Sequence, residues 1–194
     1  MIPISFRSYF GLLDFSGPAC PIPMDQRAVA VQDLRRLLFL HGRECRYAKF
    51  MAQALSSFLE FYGRGRALDA AIWARRAAEC YGLFVVMELQ GVHADDLLGD
   101  LTWRLPDRHT WSTSFSMCGH PIVGRVAAEL GAGLSTATIW DDLEALRYWG
   151  NPGGHAHAML RDGRIELEPL FVPMLRVCLS FCGLCYDRRG LSRL

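Results

Sequence analysis

A chain of 194 residues, half of them apolar and about a fifth charged, suits one packed body and is too apolar for wholesale disorder. Its formal charge of +1 gives no general attraction to nucleic acid, so any such binding has to come from a local basic patch. Lys49 is the only lysine, and the arginine bias is one that a GC-rich genome produces without any phosphate recognition.

Residues 1–23 are punctuated by Gly17-Pro18, Pro21 and Pro23 and are expected to be irregular. Met1–Phe15 carries Arg7 and Asp14 without a clean hydrophobic run, so no secretory leader is expected. A helical bundle for dimerisation or partner binding is predicted over 24–100. Its first helix starts near Asp25, sets Ala30, Leu34, Leu37 and Leu38 on one face, and stops at Gly42. The second carries Tyr47, Phe50, Met51, Ala54, Phe58, Phe61 and Tyr62 and stops at Gly63. The third carries Trp73, Ala77, Cys80 and Tyr81 and stops at Gly82. Glycine just past a helix takes the left-handed conformation at little cost, which makes three such stops a bundle signal. Leu83–Leu89 (LFVVMEL) fits a buried strand or a helix equally well, and the polar stretch Asp95–Thr113 fits a connector.

The segment 118–168 predicts a helix, a turn, a second helix and a β-hairpin. Val126, Ala127 and Leu130 share a face before Gly131. Ser135 is a good N-cap for a helix with Ile139, Leu143 and Leu146 in one stripe. Gly150, Asn151, Pro152 and Gly153 are expected to stop it. His155–Leu160 and Arg164–Leu167 then alternate around Asp162-Gly163, a hairpin signal. Helix-turn-helix followed by a hairpin is the plan of a winged helix. The predicted fold class is therefore mainly α with a small β component: an N-terminal helical bundle plus a C-terminal winged helix-turn-helix.

The string Ser135–Leu146 (STATIWDDLEAL) resembles the second helix of DeoR-type winged-helix repressors, matching at Ser135, Ala137, Thr138, Ile139, Asp142, Leu143 and Leu146. Gly153-Gly154 is similar to the pair that opens the family's wing. Where the family has two basic residues this chain has Trp140 and Asp141, and its turn, Gly131–Leu134, is two residues longer. The resemblance implies a DNA-binding transcription regulator, cytoplasmic and homodimeric, with double-stranded DNA as partner and no cofactor. Thr136, Thr138, Trp140 and Asp141 would face the groove, Arg125 and Ser135 the phosphates, and His155, His157, Arg161 and Arg164 the adjacent backbone.

Two other functions fit the residues. Cys118, between an apparent strand and a helix, with His155 or His157 on a later strand, is the pattern of a papain-like cysteine hydrolase. The acidic Asp141, Asp142 and Glu144 suit instead a protein-interaction module that does not bind DNA. Residues 169–194 form an apolar tail element. Cys178, Cys182 and Cys185 there share the C-x3-C-x2-C spacing of radical S-adenosylmethionine enzymes, but they also share one helical face with no specified fourth ligand, so no metal is expected. Leu170–Tyr186 is slightly short for a membrane span and holds Pro173 and Arg176, so a buried element is expected. Seven scattered cysteines without a leader point to reduced thiols in a cytosolic protein.

Overall fold

A computed structural model describes residues 31–32, 34–39, 45–85, 136–154 and 167–191. Among the described residues there are five helices and no strand: α1 (31–32 and 34–39), α2 (Arg46–Gly63), α3 (Ala67–Phe84), α4 (Thr136–Gly154) and α5 (Glu168–Leu191). α3 is central, packed along α2 on one side and α4 on another, while α5 touches α4, α3 and α2.

The sequence of each helix explains its place. α2 turns Tyr47, Ala48, Met51, Ala54, Leu55 and Phe58 into the core, an apolar face of period 3.6. α3 buries the small residues Ala70, Ala71, Ala74, Ala77 and Ala78, which let neighbouring backbones come close. α5 is apolar nearly all round, from Leu170 through Phe181 to Cys185, as a helix enclosed by others must be. The helix passes through Pro173 near its N-terminal end. The buried hydroxyls of Tyr81 and Ser180 satisfy one another at 2.8 Å across the α3–α5 contact. No described helix is long and apolar enough to cross a membrane.

Of the expected glycine stops, that at Gly63 is where the helix ends and that at Gly82 is not. α2 ends in a Schellman motif whose left-handed residue is Gly65, at φ 67°, not Gly63. There the Gly65 N–H donates to the Tyr62 carbonyl at 3.0 Å and the Arg66 N–H to that of Phe61 at 2.9 Å. α3 runs through Gly82, because Phe84 and Val85 beyond it are fully buried. Phe84 meets Tyr47 at 5.7 Å and Phe181 at 4.8 Å between ring centroids. That burial outweighs the roughly 1 kcal/mol that glycine costs a helix interior. The stop at Gly42 lies outside the described residues.

The winged-helix expectation is corrected here. The described residues are almost wholly helical, with no β component, and α4 is a member of the bundle instead of the second helix of a separate module. α4 does not stop at Gly150: it continues to Gly154, so Gly153-Gly154 forms its last turn instead of opening a wing. Tertiary packing explains the extension. Gly150 lies so close to α3 that an added Cβ would collide with the Arg75 side chain and come within 2.8 Å of the Ala71 carbonyl oxygen. The helix is therefore held where local sequence favours an end. The expected hairpin strands and the partner segment Val123–Leu130 lie outside the described residues.

Candidate functional site

α4 was the expected DNA-reading element, and its chemistry is largely committed inward. Ile139, Leu143 and Leu146 are fully buried, as their spacing predicts. Asp142 is also buried and accepts a two-pronged contact from Arg176 of α5, Nε to Oδ2 at 2.7 Å and Nη2 to Oδ1 at 2.5 Å. Burial raises the Asp142 pKa, and the hydrogen bond and charge of Arg176 pull against that rise. Thr138 and Trp140 are half-buried, with Trp140 against the core, and Asp141 is exposed. Glu144 is occupied by Arg147, whose Nε and Nη2 donate to Oε2 at 3.0 and 2.7 Å. Among the described residues the outer surface of α4 thus offers Asp141, a neutralised pair and the exposed Tyr148 ring. Thr136 begins the helix, while Arg125, Ser135, His155, His157, Arg161 and Arg164 lie outside the described residues. Cys118 does too, so the structure describes no part of the Cys118–His155/His157 arrangement.

The described thiols sit mainly in the core. Cys178 and Cys182 are fully buried and Cys80 and Cys185 nearly so, while Cys45 is half-buried at the start of α2. The Cys80 thiol is 3.5 Å from the Tyr47 carbonyl oxygen, and burial, with Cys45 adding to it, pushes its pKa to about 12. Burial likewise raises Cys178, with Cys182 and Cys80 adding to it, and raises Cys182. Neutral thiols in such surroundings are poor nucleophiles at neutral pH. Among the described residues no three His, Cys, Asp or Glu side chains converge as metal ligands.

A concave surface of the described bundle lies elsewhere, between α1 and α2. A groove of about 520 Å³ is lined by Gln32, Arg35, Arg36 and Phe39 of α1 and by Ala52 and Ser56 of α2. α1 has two stripes. Leu34 and Leu38 enter the core, while Gln32, Arg35, Arg36 and Phe39 occupy another face at steps of three and four residues. Phe39 is 65% exposed, unusually open for so large an apolar side chain. Arg35 Nε donates to the Ser56 hydroxyl at 3.1 Å, and Ser56 donates in turn to the Ala52 carbonyl at 2.8 Å. This chain of bonds restrains the guanidinium and leaves its terminal N–H groups for another acceptor.

None of these six groove residues was among the expected site residues. The signal was nevertheless present, since Gln32, Arg35, Arg36 and Phe39 repeat at helical spacing off the Leu34/Leu38 stripe. What was missing was the partner helix that turns a surface stripe into a concavity.

The chain matches no family model, and neither a curated protein nor a solved structure shows significant similarity to it.

Proposed function

We propose that this chain is a helical protein-interaction module that receives a partner segment in the α1–α2 groove. The groove carries the proposal: it combines concavity, an open aromatic ring at Phe39 and restrained hydrogen-bond donors at Arg35. A helix pair with an apolar contact and flanking polar groups is the form in which many proteins accept a peptide. DNA reading by α4 has less support, because Asp141 would oppose phosphate and Arg147 and Arg176 are already paired with carboxylates.

Selection of a random peptide library on the purified chain tests the role. Peptides that bind the wild type and are lost on Phe39→Ala are the expected result. If no peptide is selected while a pool of random duplexes binds at low salt, the interaction role is wrong and DNA binding takes its place.

A further inference from the structure

Resting on that interaction role, we infer that the groove's occupant is an acidic amphipathic helix of a partner protein, with a carboxylate set one turn from an apolar side chain. Among the described residues the groove lining holds two guanidinium groups, Arg35 and Arg36, and no carboxylate. Glu60, on the same helix as Ser56, is engaged by Arg64 at 2.9 Å. Lys49, exposed and one turn before Ala52 on α2, is a further positive charge on the same helix outside the groove lining.

Spacing favours a helix as occupant. Gln32 to Phe39 spans two helical turns, about 10 Å at 1.5 Å per residue, so a partner helix laid alongside meets these groups with its own i, i+3/i+4, i+7 positions. A carboxylate accepts the paired N–H groups of a guanidinium in a fork. With Arg35 Nε spent on Ser56, the terminal nitrogens present such a fork. An apolar side chain one turn away then covers Phe39, whose ring is otherwise left to water. A nucleic-acid strand would want phosphate contacts over a longer basic track, and the chain's +1 charge supplies no such field.

Fluorescence anisotropy with labelled synthetic peptides tests this. The first probe is a helix-favouring peptide with Glu and Leu one turn apart; the second replaces each Glu by Gln; the third is a random single-stranded DNA of similar length. The acidic peptide should bind about tenfold more tightly than its Gln version and weaken as salt rises, as expected for charge-assisted contacts at a partly exposed site. Arg35→Ala should lose most of that difference and Phe39→Ala should weaken both peptides, whereas Arg76→Ala, outside the groove, should change neither. If Phe39→Ala loses its helical circular dichroism, Arg35→Ala decides alone. Equal affinity for the Glu and Gln peptides, still sensitive to Phe39, overturns the acidic occupant and keeps the interaction role. Tighter binding of the DNA, or self-association of the chain that Arg35→Ala abolishes, overturns the acidic occupant in favour of another. Binding of neither peptide to the folded protein overturns both.

Discussion

α4 and the α1–α2 groove use charge in opposite ways. α4 is rich in acidic residues, yet Asp142 is spent on Arg176 inside the fold and Glu144 on Arg147 at its edge. The groove, built from a shorter and plainer stretch of sequence, keeps Arg35, Arg36 and Phe39 at the surface. A helix that looks functional from its residues can therefore be structural once its neighbours are known. The converse also holds, since a helix assigned only to the bundle provides the concave face.

If α4 is structural, its inward residues should control stability. The largest effect is expected at the buried ion pair. Asp142→Leu alone should cost about 3 kcal/mol, because the Arg176 guanidinium loses both of its hydrogen bonds to this carboxylate in a mostly enclosed site. Adding Arg176→Leu should recover most of that loss, since a buried pair replaced by apolar side chains is often neutral. Urea denaturation of the single and double variants gives both numbers. A harmless Asp142→Leu would place α4 outside the cooperative core.

Next is Gly150→Ala. The new methyl has to displace Arg75 or the Ala71 backbone, so a loss of about 2 kcal/mol is expected in the same assay, as for an overpacked core. An unchanged midpoint would show that α3 and α4 are not in close contact in solution.

A smaller effect is expected with pH. Because burial raises the Asp142 pKa above its usual 3.8, the folded state takes up this proton before the unfolded chain does. The contribution of Asp142 to stability should therefore increase as pH falls through the raised value and level off below about 3.8. Subtracting the stability profile of Asp142→Asn from that of the wild type isolates it. A difference that falls instead on acidification would mean that Arg176 outweighs burial.

The smallest stability effects belong to the groove. Arg35→Ala and Phe39→Ala should each move stability by no more than about 0.5 kcal/mol, as exposed positions usually do, while weakening binding of the acidic peptide. A large loss of stability at Phe39 would make the groove a packing site and erase the contrast with α4.

Much of the helical content was legible from periodicity. The stripes Leu34/Leu38, Met51/Ala54/Phe58 and Ile139/Leu143/Leu146 all turned out to be buried, because each helix must hide its apolar face from water. The burial of Cys178 and Cys182 beside Met174 also follows from their common helical face. Helix ends were less legible. Gly63, Gly82 and Gly150 carry the same local signal, but their fates differ with what lies beyond or beside them. The winged-helix fold failed for a related reason: a sequence pattern for two helices and a turn does not say whether the second helix stands apart or joins an existing bundle.

The sequence by itself determined the middle of each described helix and its main apolar stripe, since both follow from residue spacing along one chain. Only the tertiary structure decided that Asp142 meets Arg176, that Gly150 gives α4 its place against α3, and that α1 and α2 enclose a basic groove. Each of these depends on atoms brought together from distant parts of the chain, and no local pattern records which helices become neighbours.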